Sequence, residues 1–218
     1  MPERRHQLRS ITLGDAPSAW AELGFEVRST QARCAEDEVR YVALGNTAVL
    51  LGAHEPGFSG WSIDGGTPHI EGLAASEPSA PVVAGSIHPN GIESIDHVVV
   101  TTGDVDRTAA ELAAAGIEQR GERSTDSYGS PMRQQFYWLG DVILELVGPG
   151  RDEPTSDEPP KLFGLALVAP DLDATTERLG DLGGTPKNAV QPGRRIAGIR
   201  GERTGVSIPL AVMSPHRG

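Results

Sequence analysis

The sequence predicts an α+β fold built from repeated βαβββ modules, and three observations carry that expectation. Residues 95–116 and 162–183 repeat one pattern, with Asp104 and Asp171, Asp106 and Asp173, and Gly116 and Gly183 each 67 residues apart and no gap. Short β-branched runs are hinged at Gly-Asn and Gly-Asp pairs, the signature of hairpins. Aromatic residues make up only 5% of the chain, against 27 Gly and 17 Pro, which favours many short elements joined by turns over long helices.

In the first copy, residues 9–13 are strand-like, Asp15 is placed to cap a helix, Pro17 suits its first turn, and Trp20 and Leu23 face inward before Gly24. This helix is three residues shorter than those of the other copies. Strands follow at 39–44 and 47–51, hinged at Gly45-Asn46. The second copy opens with the β-branched run from Ile95 and continues into a helix capped by Asp104, with Val105, Ala109 and Leu112 on one face. Gly116 ends that helix in the left-handed manner. Its strands fall at 133–139 and 142–147, hinged at Gly140-Asp141. The third copy repeats the plan, with Asp171 as cap and strands at 195–200 and 206–212. These limits divide the chain into an N-terminal module at 1–60, a Gly/Pro-rich connector at 61–92, a central module at 93–150 and a third module at 162–218. Residues 60–63 add a possible edge strand, and residues 151–161 form an acidic, proline-rich, exposed connector.

Composition narrows the partners. A formal charge of −11 over 218 residues opposes nucleic-acid binding, which needs a basic face. No run reaches the roughly 18–20 apolar residues of a membrane span. The basic start at residues 1–6 has no apolar run behind it, so a cytoplasmic location is expected. Cys34 is the only cysteine, which excludes an intrachain disulfide and a thiolate metal cage, and no basic motif adjoins it to make it a nucleophile. Phosphate-binding loops, dinucleotide fingerprints and nucleophile elbows are absent. Three modules leave one without a partner, and its open sheet edges predict a homodimer.

The segment His88-Pro89-Asn90-Gly91 leading into Ile95-Asp96-His97-Val98-Val99-Val100, together with residues 139–148 and 191–196, resembles the vicinal oxygen chelate superfamily. That superfamily includes glyoxalases, bleomycin-resistance proteins and extradiol dioxygenases, and the chain is most similar to its glyoxalase-like members. The resemblance implies that two modules pair into a curved, half-open barrel. It also implies metal ligands on the first and last strands of a module, which here are His97 and Glu145. Imidazole plus carboxylate suits Zn, Fe, Mn or Ni with open positions for substrate oxygens. The third copy has Gly164 at the His97 position and no acid on its last strand, and the first copy has Leu8 and Leu50 or near neighbours.

A third ligand would therefore come from His54, His69, His88, Glu55 or Gln134, or from a partner subunit. The same pair also reads as a buried hydrogen bond. Strand alternation and the resemblance place Gln134 toward the concave face as a substrate-binding residue. Arg194, with Arg195 beside it, could hold a carboxylate or phosphate, and Tyr137 and Trp138 point to opposite faces, with Trp138 able to line an aromatic pocket. Two functions follow: a metal-dependent lyase, isomerase or dioxygenase acting on a small oxygenated molecule, or a metal-free protein that binds a small molecule, as resistance proteins do.

Overall fold

The computed structural model describes residues 6–31, 38–53, 55–65, 69–75, 85–86, 88–126 and 129–216. The first module comprises β1 (Leu8–Leu13), α1 (Pro17–Glu22), β2 (Val27–Gln31), β3 (Glu38–Leu44), β4 (Thr47–Leu51) and β5 (Phe58–Ile63). The second comprises β6 (Ser94–Thr101), α2 (Val105–Ala114), β7 (Gln119–Thr125), β8 (Met132–Leu139) and β9 (Val142–Pro149). The third comprises β10 (Lys161–Val168), α3 (Leu172–Leu179), β11 (Lys187–Asn188), β12 (Arg195–Ile199) and β13 (Leu210–Met213). Strand limits agree with the periodicity to within a residue or two, except that β13 starts at Leu210.

The second and third modules form one eight-stranded sheet in the order β11-β12-β13-β10-β6-β9-β8-β7. Their first strands pair antiparallel at its centre, with Leu165 opposite Val98 and Ala166 opposite His97. Within each module the first and last strands run parallel, β6 with β9 and β10 with β13. The sheet is curved and does not close into a barrel. Apolar residues of one sheet face, among them Val98, Val100, Leu144 and Leu146, pack with Leu112 of α2 and Leu172 and Leu179 of α3 in the main core. Alternation therefore turns His97, Val99, Glu145, Gln134 and Phe136 toward the other face.

The first module forms a separate five-stranded sheet, β2-β3-β4-β1-β5, whose helix-facing side joins the same core. The extra strand anticipated at 60–63 is β5, and it lies antiparallel beside β1, the position β10 takes beside β6. The chain thus covers its own β1 edge, the edge that an unpartnered module would otherwise expose.

Asp104 and Asp171 cap α2 and α3, accepting from Arg107 N and Ala174 N at 3.0 Å. Asp15 does not cap α1, whose N-cap is Ala16. Its carboxylate accepts from the Trp20 indole N–H at 3.0 Å and from Ser207 N at 3.1 Å. This buried aspartate ties the first module to the third, a long-range partnership that outweighs local capping. The Gly116–Gly183 correspondence also breaks in three dimensions. Gly116 sits at φ 79°, whereas α3 stops earlier at Gly180, φ 54°, and a 3₁₀ turn follows.

His88, 2% exposed, secures the start of the second module to the first. Its Nδ1 accepts from Glu26 N at 3.0 Å, so Nε2–H donates to Ala43 O at 2.9 Å and the ring is neutral. Burial lowers its pKa, and the bond to Ala43 only partly opposes this. A lowered histidine pKa means that the unfolded chain takes up the proton first, so stability falls as pH drops through the unfolded value near 6.5. Unfolding midpoints measured between pH 8 and 5 are expected to decrease toward acid, and that portion of the slope disappears in His88→Gln.

Candidate active site on the concave face

Four residues, His97, Arg123, Gln134 and Glu145, brought together by β6, β7, β8 and β9, occupy the concave face of the eight-stranded sheet. His97 and Glu145 lie on adjacent parallel strands, offset by one pair, because Ile143 is opposite His97 and Glu145 is opposite Val99. His97 Nε2 is 3.4 Å from Glu145 Oε2. The other ring nitrogen, Nδ1, donates to Asp96 Oδ2 at 2.8 Å. Gln134 Nε2 donates to Glu145 Oε1 at 2.6 Å. Gln134 Oε1 in turn accepts from Arg123 Nε and Nη2 at 2.7 and 2.5 Å.

Asp96 looks like an error of patterning, since a carboxylate occupies the core-facing register next to His97. Its partner explains it. Arg194 is 3% exposed and clamps Asp96 with Nη2 to Oδ1 at 2.5 Å and Nη1 to Oδ2 at 3.2 Å. Arg194 Nε also donates to Ser214 O at 2.8 Å. Burial alone would raise the Asp96 pKa, but hydrogen bonds from His97 and Arg194 and their charges reverse this and hold it at about 2. Asp96 is therefore a fixed anion that accepts from His97 Nδ1–H and orients the ring, turning Nε2 toward Glu145. Glu145 differs. Burial pushes its pKa up, with His97 and Arg123 pulling against that rise. His97 Nε2 thus faces a carboxyl group whose pKa burial raises, and the two are placed to act as an acid–base pair.

A cavity of about 420 Å³ opens on this pair, with His97, Glu145, Gln134, Arg123 and Phe136 in its wall and residues 187–191 at its rim. Of the residues anticipated from sequence, His97, Glu145 and Gln134 meet in it. Arg194 does not line it. Its guanidinium is consumed by Asp96, Gln191 Oε1 at 2.6 Å and Ser214, so it positions rather than binds. Trp138 shares the face of Gln134 but lies 40% exposed beyond the cavity, in a shallow depression with Ile143 and Arg120. Arg195 pairs with Asp173 at 2.6 Å on the surface. Arg123 was not singled out by any motif. Only the pairing of β7 with β8, which sets Arg123 opposite Gln134, reveals it.

A resident catalytic metal needs about three protein donors, and here there are two. His88 has both ring nitrogens engaged elsewhere. His69 and Glu55 are exposed and do not line the cavity. His54 and Cys34 fall outside the described residues. The Gln134 oxygen is already held by a cation. Among the described residues no three His, Cys, Asp or Glu side chains converge, so the residues present do not fit a three-ligand centre.

Neither sister module could host a second copy of the site. The third places Gly164 and Ala211 at the equivalent register, and a Cβ on Gly164 would lie 2.4 Å from Pro209 O. The first places Ser10, rather than Leu8, and Leu50 there, with Ser10 Oγ closed off by Ser62 Oγ at 2.7 Å.

Residues 96–199 match the family model described as the Glyoxalase/Bleomycin resistance protein/Dioxygenase superfamily. Among solved structures, a variant of 4-hydroxymandelate synthase from Streptomyces coelicolor aligns over 97% of this chain and 94% of that chain, with TM-score 0.66 and 13% identity. Methylmalonyl-CoA epimerase from Mycobacterium tuberculosis aligns over 56% of this chain and 88% of that chain, with TM-score 0.45 and 19% identity. At 13% identity the likeness to the synthase is one of fold. No curated protein matches the sequence. Among the described residues no helix is long and apolar enough to cross a membrane.

Proposed function

Residues 96–199 form a domain of the vicinal oxygen chelate superfamily, and on that premise we propose that the protein is an isomerase or lyase that moves a proton on a small oxygenated substrate, with His97 and Glu145 as the reacting pair. The observation that carries this reading is the Asp96–His97–Glu145 line, in which a fixed anion orients the imidazole so that Nε2 faces a carboxyl group 3.4 Å away inside the cavity. One of the two acts as the acid and the other as the base.

For an α-hydroxycarbonyl compound the step balances without an oxidant. The base removes the proton from the carbon bearing the hydroxyl. The C–H electron pair becomes the new C=C bond, the carbonyl π pair moves onto oxygen, and that oxygen takes the proton from the acid. The former acid then takes the O–H proton of the original hydroxyl, whose electron pair forms the new C=O. The C=C pair takes the proton back from the former base at the neighbouring carbon, which completes an isomerisation and restores both residues. Gln134 fixes Glu145 Oε1, leaving Oε2 toward His97.

A second reading keeps the same two residues as ligands of a weakly held divalent cation, Zn, Fe, Mn or Ni, as superfamily membership implies. It is favoured by the Nδ1–Asp96 bond, which metal-ligating histidines commonly make to a carboxylate. Incubation with a panel of α-hydroxyketones and α-hydroxyaldehydes in D₂O, read by NMR, separates the two. Exchange of the α-hydrogen that persists after exhaustive chelation supports the proton-transfer reading. Exchange that stops on chelation and returns with one equivalent of metal overturns it in favour of the second.

A further inference from the structure

We propose that the cavity selects small organic carboxylates with an apolar body, the carboxylate lying between Arg123 of β7 and Lys187 of β11. The inference rests on reading the His97–Glu145 cavity as the reacting site and names the substrate class for it. Strands β7 and β11 are the two outermost strands of the eight-stranded sheet, yet both contribute to the wall of this one cavity. Curvature of the sheet is what brings them there, and it delivers one cation from each edge.

The charge of the wall runs against the rest of the molecule. The chain has 30 acidic residues and 19 lysines and arginines, but Glu145 is the sole acid among the cavity residues, facing two cations. Among the described residues neither Arg123 nor Lys187 forms an ion pair, which is also true of Arg178, Arg200 and Arg203, but of these only Arg123 and Lys187 line the cavity, whereas Arg9, Arg28, Arg40, Arg107, Arg120 and Arg195 are all paired. In so acidic a protein, two cations that escape pairing at one concave site mark a place for an external anion.

Arg123 is also preorganised. Nε and Nη2 are locked on Gln134 Oε1, and the guanidinium carbon lies 5.9 Å from the centroid of Phe136. A planar fork already held in one orientation loses little entropy on gripping a planar carboxylate. The remaining wall is apolar at Phe136, Val190, Ile196 and Met213, which suits a hydrocarbon or aromatic body. A volume of about 420 Å³ sits near the lower end of ligand pockets, so the ligand is small.

The test is isothermal titration of the full-length protein with phenylacetate, phenylacetamide and phenyl phosphate at low and moderate salt. We expect phenylacetate to bind at least about tenfold more tightly than the isosteric amide, with affinity falling as salt rises. Arg123→Met and Lys187→Met, each checked for an unaltered melting temperature, are expected to remove most of that preference. Equal affinity for acid and amide overturns the inference. So does an acid preference that survives in both variants, or phenyl phosphate binding more tightly than phenylacetate. The readout is binding, not turnover, so the two readings can fail separately. Carboxylate selectivity without any hydrogen exchange sinks the proton-transfer function alone, and exchange on neutral substrates without anion preference sinks the present inference alone.

Discussion

Replacing Arg194 with methionine is expected to destabilise the fold by about 3–5 kcal/mol, the usual consequence of stranding a buried charge. Arg194 and Asp96 are 98 residues apart in sequence, and their side chains are 2% and 6% exposed. Without the guanidinium, Asp96 keeps only His97 as a partner inside the core. At about 2–4 °C per kcal/mol for a chain of this size, the melting temperature should drop by roughly 6–20 °C. Pairing Arg194→Met with Asp96→Leu should restore much of the loss, because removing both charges also removes their desolvation cost. Activity would stay low in the pair, since the group orienting His97 is gone.

The acid limb follows from the same contact. The folded Asp96 pKa of about 2 lies below its ordinary value of 3.8. Its contribution is therefore fully present above about pH 4 and is lost as pH falls toward 2. Denaturant titration of the wild type and the two variants checks all of this. A loss below about 1 kcal/mol for Arg194→Met would mean that the clamp is not what holds Asp96.

Substituting either member of the reacting pair should lower the exchange rate by about 10²–10⁴-fold, the usual share of a positioned acid or base. Glu145→Gln preserves the shape and the neighbouring Gln134, and His97→Gln retains a polar group of similar reach. Both are expected to affect turnover far more than substrate affinity. If the two residues act as one acid–base unit, the double variant should be little worse than either single one, as groups that act as a unit are not additive. The rate should fall at both extremes of pH, in acid as the base is protonated and in alkali as the acid is lost. Full activity in both single variants would remove the pair from the mechanism.

Much of the architecture was legible in the chain itself. The 67-residue register, the aspartate caps of α2 and α3 and the glycine hinges are local devices, and each acts through a few neighbouring residues. Alternation along β6, β8 and β9 was enough to turn His97, Gln134 and Glu145 to one face. What misled was chemistry that resolves at long range. Asp15 reads as a cap and instead holds Trp20 and Ser207. Arg194 reads as a ligand for an anion and finds one in Asp96. Gly183 matches Gly116 in sequence, but α3 ends at Gly180.

The sequence by itself determined the repeated strand–helix–strand pattern and turned His97 and Glu145 to one sheet face, because periodicity of apolar residues and local turn chemistry are properties of short segments. Only the tertiary structure decided that one module of three keeps an open site, that β5 covers the β1 edge, and that Arg123 and Lys187 line one cavity. Those outcomes depend on which strands become neighbours and how far the sheet curves, and these are set by packing among residues tens of positions apart.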